Sequence, residues 1–348
     1  MKYVKYILIL GFIGILLFLF FRNVNFREVY DSMSSVNPIY PVVFLLGLYL
    51  QFFIRGYRWG LILKPHKNRI PLMTLYHYTV IGFLLDAIAP GKIGEAARGI
   101  LLAREENIGQ SYGLASVVLE RLIDSLMIVL LFLISLFFIK DTTSPLLVSL
   151  KSASFFIFPV IVLFFLLFYL LNTERAFVYV EKIIRFLAKA LPQKIRERAV
   201  SFSLNFVKGL RLNLSFLNYV KLLVSSIVVW LFLVPFYWFL MQGFEFGPGI
   251  SVVESIPYFS IIALSAAIPT PGMAGSFDIA SKEILRSSTY NVHISEAVAY
   301  TVLSHFLILV VMVVPGIVSS WIKGINLKTV RNIKNKRDEQ SNHLKNKN

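Results

Sequence analysis

The sequence predicts an all-α polytopic membrane protein, with about six transmembrane helices plus two broken, re-entrant helix pairs in a possible inverted repeat. Three observations carry this. First, 57% of the 348 residues are hydrophobic and the mean hydropathy is positive, with several apolar runs near the roughly 20 residues that cross a bilayer. Second, Pro-Gly breaks interrupt two apolar runs, at Pro90-Gly91 and Pro269–Gly272. Third, the 35 Lys and Arg residues divide unevenly between alternate loops: 27 fall on one side and 6 on the other, with Arg121 and Lys221 inside helices. Basic residues collect in cytoplasmic loops, so this split places both termini in the cytoplasm and the chain in the cytoplasmic membrane.

The first crossing is Val4–Phe21. Its apolar run is too long for a secretory signal, and Phe20-Phe21-Arg22-Asn23 offers no small-residue cleavage site, so it reads as a retained helix. Ile39–Arg55 is the second. Leu72–Ala89 follows, apolar apart from His77 and Asp86, then breaks and continues as Lys92–Gln110 with three basic and three acidic residues. Gly113–Ile139, Ala153–Leu171, Tyr219–Met241 and Ala297–Trp321 read as the other crossings. Between the last two, Val253–Ile268 breaks at Pro269–Gly272 and returns through Ser276–Ser288. Irregular backbone at membrane depth persists only where protein or water satisfies its freed N–H and C=O groups, so both broken pairs should line a cavity. Loop charge does not decide whether each pair turns back or crosses twice; their length and polarity favour turning back. The first would then enter from the inside and the second from the outside, as in inverted-repeat transporters. The halves show no clear sequence identity.

Residues 1–322 form a single membrane domain on this reading, followed by a Lys/Asn-rich, disordered cytoplasmic tail, 323–348. Within the domain, residues 174–211 carry Phe177, Val180, Ile184, Leu187 and Leu191 at helical spacing, with Lys182, Arg185 and Lys189 on other positions. That pattern fits amphipathic helices on an anionic membrane surface. It fits packing against the bundle or a partner equally well. The chain has no Cys, and its five His lack ligand spacing, so neither a metal nor another cofactor is expected. A net charge of +16 would suggest nucleic acid in a soluble protein. Here loop placement explains it, and no nucleic-acid partner is expected.

Three polar clusters mark the candidate site. In Asp86–Arg98, Glu95 and Arg98 share a helix face and could simply pair, with Glu95 also suited to a first helical turn. Alternatively, the turn could present N–H groups to a phosphate, with Lys92 or Arg98 adding charge. In the second cluster, Glu120 and Asp124 lie one helical turn apart with Arg121 to one side. Two carboxylates so placed repel unless a cation lies between them: an Arg of another helix or a substrate amine. Arg55 and Arg58 are candidates, although Arg58-Trp59 could instead anchor the helix at the interface. In the third cluster, Pro271, Gly272 and Gly275 exclude a regular helix, and Asp278 could cap the following half-helix or contact substrate.

Together these residues resemble the lysylphosphatidylglycerol-synthase transmembrane-region family of flippase-like membrane proteins. The resemblance rests on Arg55-Gly-Tyr-Arg58-Trp59, on Asp86 to Pro90 with Gly94-Glu95 and Arg98, on Glu120-Arg121-Leu-Ile-Asp124, and on Pro269-Thr-Pro271-Gly272 with Gly275 and Asp278. Order and spacing match over nearly the whole chain. Asp86 stands where the pattern has Asn, Met273 where it has Gly, and Asp278 where it has Glu. The resemblance implies a lipid-handling domain, which in some members translocates aminoacylated phospholipids. The soluble aminoacyl-transfer domain of bifunctional members is not expected here, so synthase activity is not carried over and no enzyme is expected.

The expected function is therefore movement of a phosphate-bearing lipid, either an aminoacylated phospholipid or a polyprenyl-linked one, between leaflets. Arg and half-helix ends would hold the phosphate, and Glu95, Glu120 and Asp124 would hold cations. One alternative is an integral-membrane transferase acting on lipid phosphates, although such an enzyme would more typically gather Asp and His on a surface loop. Another is an accessory subunit that recruits a lipid or a partner synthase through 174–211. Expected partners are membrane lipids of anionic or polyprenyl-phosphate type, with a homo-oligomer or a partner synthase also compatible.

Overall fold

The structure, a computed structural model, describes residues 2–89, 92–138, 173–266 and 268–325. Pro90-Gly91, the predicted crossing at 153–171, the loop 140–152 and the tail beyond 325 lie outside the described residues. Every regular element among the described residues is helical, and none is a strand.

Helices α1 (Lys2–Phe21), α2 (Phe26–Ser34) and α3 (Ile39–Leu63) lead into α4 (Leu72–Ile88), α5 (Ile93–Glu105) and α6 (Gln110–Ser135). Next come α7 (Glu174–Ala188), α8 (Gln193–Leu210), α9 (Phe216–Leu231), α10 (Val234–Met241), α11 (Ser255–Ser265), α12 (Ser276–Arg286) and α13 (Ile294–Ile322). Among the described residues, three spans are long and apolar enough to cross a membrane: Ile39–Leu63, Phe216–Met241 and Ile294–Ile322. The second is α9 and α10 in sequence. Pro235, near the start of α10, has no N–H to donate back along the chain, which accounts for the break between them. Helix α6 has 26 residues but carries Glu120, Arg121 and Asp124 in its middle.

The two broken segments are antiparallel helical hairpins. In the first, α4 pairs with α5: Tyr78 meets Glu105 at the base, Gly82 meets Arg98, and Asp86 meets Gly94 at the tip. A Cβ on Gly94 would collide with the Gly82 carbonyl oxygen, so this close approach requires glycine. In the second, α11 pairs with α12. Tyr290 donates to the Glu254 carbonyl and accepts from Tyr258 N, and the Tyr258 and Ser281 hydroxyls lie 2.8 Å apart.

Helix α13 runs past both hairpins. Its first turns follow directly on the base of the second hairpin, with Ser295 donating to Glu28 of α2. Further along, His305 and Leu309 meet the second tip at Gly272. Gly316 packs on Val80 and Leu84 of the first hairpin. Ser319 reaches His77, and Lys323 pairs with Glu105 at the first hairpin's base. At 1.5 Å per residue, the tips meet about 17–23 Å along a helix of roughly 43 Å. A Cβ on Gly272 would lie 3.5 Å from the Ala87 carbonyl oxygen and 3.9 Å from its Cα, so the hairpins touch tip to tip.

The two helices of 174–211 differ in how they pack. Helix α8 packs along α6, whereas α7 rests chiefly on α8 and leaves Val178, Tyr179, Ile183, Phe186 and Leu187 exposed.

Candidate functional site

Where the hairpin tips meet, α3, α6, α9, α10 and α13 enclose a cavity of about 350 Å³. Arg55, Asp86, Lys92, Glu95, Arg121 and Asp124 line one part of it. Leu48, Phe52, Phe259, Ile262, Val311 and Met312 are among the side chains forming its apolar remainder. The cavity is therefore amphiphilic.

Behind the charged wall lies a buried ion network joining α3, α5 and α6. Arg58 spans both carboxylates of α6, with Nη1 2.6 Å from Asp124 Oδ1 and Nη2 3.0 Å from Glu120 Oε1. Arg98 Nη2 lies 2.6 Å from Glu120 Oε2, and its guanidinium stacks over the Trp59 ring at 4.6 Å. Arg121 Nη2 reaches Asp124 Oδ2 at 2.8 Å and Glu120 Oε1 at 3.4 Å, while its Nη1 reaches Glu95 at 3.2 Å. Asp124 also accepts from Trp230 Nε1 at 3.1 Å. The cations the two α6 carboxylates need are thus protein arginines. Glu95 pairs with Arg121, and its i,i+3 neighbour Arg98 pairs with Glu120, which corrects the expectation that Glu95 and Arg98 pair with each other. Trp59 is wholly buried, with Nε1 bonded to Ser116 Oγ at 2.9 Å, so Arg58-Trp59 is no interfacial anchor.

Two cations of the cavity wall are less committed. Arg55 has one ion contact, 3.4 Å from Asp124, and lies over the rings of Trp230 and Phe83 at 5.4 and 5.6 Å. Its buried Nε has no hydrogen-bond partner. Lys92, held at φ 54° just before α5, makes no ion pair with any described residue.

At each half-helix N-terminus one N–H is taken by a carboxylate of this chain. Asp86 Oδ1 accepts the Gly94 N–H at 2.8 Å, and Asp278 Oδ2 accepts the Gly275 N–H at 2.8 Å. The Gly94 N–H is therefore not open to a phosphate, while the turn at Pro90-Gly91, where N–H groups were expected to face one, lies outside the described residues; at the second tip Asp278 caps the half-helix, one of its two expected roles. The second tip is a single 3₁₀ turn, Pro271–Met273, with Gly272 at φ +56° and Gly275 at φ +81°. Met273 stands at φ +63°, a left-handed conformation that favours glycine, which is the residue the resembled pattern has there.

Of the residues singled out from the sequence, Arg55, Asp86, Lys92, Glu95, Arg121, Asp124 and Gly272 line the cavity. Arg58, Arg98 and Glu120 lie one layer behind, and Pro271, Gly275 and Asp278 build the second tip. Sequence reasoning missed Gln51, Thr270, Trp230 and His305. Gln51, donating to the Val229 carbonyl at 2.9 Å, and His305 were both visible as isolated polar residues in apolar runs.

The helical architecture, the membrane-length spans and the charged cavity define a multi-pass integral membrane protein. Residues 6–316 match the family described as lysylphosphatidylglycerol synthase TM region. The chain belongs to that family, which is associated with the synthesis and flipping of aminoacylated phospholipids. Comparison with curated proteins gives no match.

Proposed function

We propose that the protein moves a phosphate-bearing membrane lipid between leaflets, holding its headgroup in the cavity where the two hairpin tips meet. The observation that carries this reading is the amphiphilic cavity, with ionised groups at one end and an apolar wall beside them. Its volume equals about a dozen liquid waters, which suits a headgroup and the first carbons of its chains. Dragging a headgroup through hydrocarbon costs several kcal/mol unless polar groups replace its water, and the charged wall supplies those groups. Arg55 and Lys92 hold the phosphate. Counting Arg55, Arg58, Lys92, Arg98 and Arg121 against Asp86, Glu95, Glu120 and Asp124, the cations exceed the anions by one, which favours a single lipid anion.

The arrangement relative to the bilayer follows. Each half of the bundle is a long helix, a hairpin and a second long helix: α3, α4–α5, α6, then α9–α10, α11–α12, α13. The hairpins enter from opposite faces as an inverted repeat, the first from the cytoplasm. The exposed apolar face of α7, beside Lys182 and Lys189, rests on the cytoplasmic leaflet.

The test is lipid mass spectrometry of the purified protein, combined with transfer of a labelled phosphatidylglycerol in proteoliposomes. Bound phospholipid is expected, with several-fold slower transfer in Arg55→Gln and Lys92→Gln. Absence of both bound phosphate lipid and transfer would overturn the reading. Chemical turnover of the lipid would assign the chain to the transferases instead.

A further inference from the structure

Asp278 and His305 stand apart from the cavity ions, and their geometry has a stoichiometric consequence. His305 Nε2 lies 2.8 Å from the carbonyl oxygen of Gly272, while Nδ1 lies 2.7 Å from Asp278 Oδ1. A carbonyl oxygen only accepts, so Nε2 must carry hydrogen. A neutral imidazole then has a bare lone pair on Nδ1, facing another lone pair on an ionised carboxylate. Two acceptors at that distance repel, so one further proton lies between them, on Nδ1 or on Oδ1. Asp278 Oδ2 faces the Gly275 N–H, itself a donor, so the proton has no alternative seat there.

We propose that His305 and Asp278 form a proton-binding site whose occupancy clasps the second hairpin tip at the cavity wall. With the proton in place, one imidazole ties the tip at two points: directly at the Gly272 carbonyl and, through Asp278, at the Gly275 N–H. Without it, the neutral imidazole has one N–H for two acceptors, so either the Asp278 or the Gly272 contact becomes a pair of facing lone pairs and that attachment is lost. Gly272, Met273 and Phe277 belong to the cavity wall, so the clasp is one layer from the space it shapes. An ionisable pair at mid-membrane depth is costly and marks a functional position. Use of this proton to drive lipid movement rests on the translocation reading; its binding does not.

The surroundings leave the pair to itself. From α12, the Phe277 ring packs 4.9 Å from the imidazole. From α11, the Tyr258 hydroxyl is engaged with Ser281. Lys282, one turn beyond Asp278, donates to the carbonyls of Leu19 and Phe20 at the end of α1, at 2.9 and 3.0 Å. From α4, Ala87 faces Gly272, and Asp86 is engaged by Gly94. Among the described residues, the ion contact between His305 and Asp278 is the one either of them makes.

The full chain contains five His, which makes ¹⁵N-histidine NMR in lipid nanodiscs practicable, with His305 assigned by loss of its signal in His305→Gln. In the native protein near neutral pH, both ring nitrogens are expected to be protonated or strongly hydrogen-bonded, and one of them is expected to lose that signature as the pH is raised. In Asp278→Asn the side-chain amide can itself donate to Nδ1, so the shared proton is no longer needed. His305 should then remain one neutral tautomer throughout. A bare Nδ1 in the native protein at every pH, or an unchanged titration in Asp278→Asn, overturns the site. The native titration decides even if the variant does not fold. For the clasp, the labelling rate of Ala266→Cys on the cavity wall is compared with the same Cys in His305→Gln. Their ratio should change several-fold across the titration, and a flat ratio overturns release of the tip. None of these readouts requires lipid movement, so their failure is separable from failure of the translocation reading.

Discussion

Asp124 is the residue on which the ion network converges, and Asp124→Asn is its most direct perturbation. The variant preserves shape and removes one charge. Arg58 and Arg121 contact the carboxylate at 2.6 and 2.8 Å, with Arg55 at 3.4 Å and Trp230 donating at 3.1 Å. A hydrogen bond to a charged group contributes about 1.5–3 kcal/mol net, against about 1 kcal/mol for a neutral one. Weakening the two short contacts therefore costs about 1–4 kcal/mol, overlapping the ~3–5 kcal/mol typical of breaking a buried ion pair. The amide NH₂ also turns a donor toward a guanidinium, which adds to the loss. Thermal unfolding of the purified protein, followed by tryptophan fluorescence, should show Tm lowered by roughly 2–5 °C. Lys221→Ala, at an exposed helix position, serves as the control. Glu95→Gln should cost about 1 kcal/mol or less, because Glu95 has one 3.2 Å link at the partly exposed end of the network. An Asp124→Asn melting point within about 1 °C of the Lys221→Ala control would refute the network as a structural element. A double-mutant cycle with Arg58→Met should return a coupling of at least about 1.5 kcal/mol.

Gly94→Ala should prevent closure of the first hairpin. The new methyl collides with the Gly82 carbonyl, so a loss of about 3 kcal/mol or more, seen as reduced yield of monodisperse protein, is expected; Gly11→Ala, with open space around it, should be neutral. Because the chain lacks Cys, Ala87→Cys with Gly272→Cys should crosslink by direct oxidation in native membranes, whereas Ala87→Cys with Ser295→Cys should not. Single Cys substitutions at Thr143 and His66 test orientation. An impermeant thiol reagent on intact cells should label the former alone, and labelling at His66 would reverse the assignment of the first hairpin to the cytoplasmic side.

The helical class, both breaks and the ionised helix α6 were legible because each rests on a local signal: a long apolar run, Pro-Gly in the midst of one, or charge inside one. The need of Glu120 and Asp124 for cations from elsewhere also followed from spacing. Which arginine meets which carboxylate did not. Glu95 and Arg98 satisfy the helical i,i+3 rule, yet both turn to α6, because α5 packs against α6, where the buried Glu120 takes Arg98 and Arg121 takes the half-buried Glu95. The role of Asp86 was hidden for a similar reason. Its acceptor sits eight residues from the N–H it takes, across a turn whose conformation no propensity specifies. His305 carried no pattern of its own, and its meaning appears only when α13 is laid beside the second tip.

The two tips are held in physically different ways, and that difference follows from composition. The first hairpin is bound through Arg98 and Glu95 into a network of arginines and carboxylates that includes the fully buried Arg58 and Glu120. Its attachment has several charge-assisted bonds in parallel, so losing one leaves the others. The tip of the second hairpin relies on the His305–Asp278–Gly272 arrangement, two bonds made by one imidazole. Loss of a single proton removes one of the two. Arg58, Glu120 and Arg98 therefore act as fixed structure, and Arg55 and Lys92 offer charge to a ligand. The second tip is the part of the cavity wall whose attachment depends on one exchangeable atom.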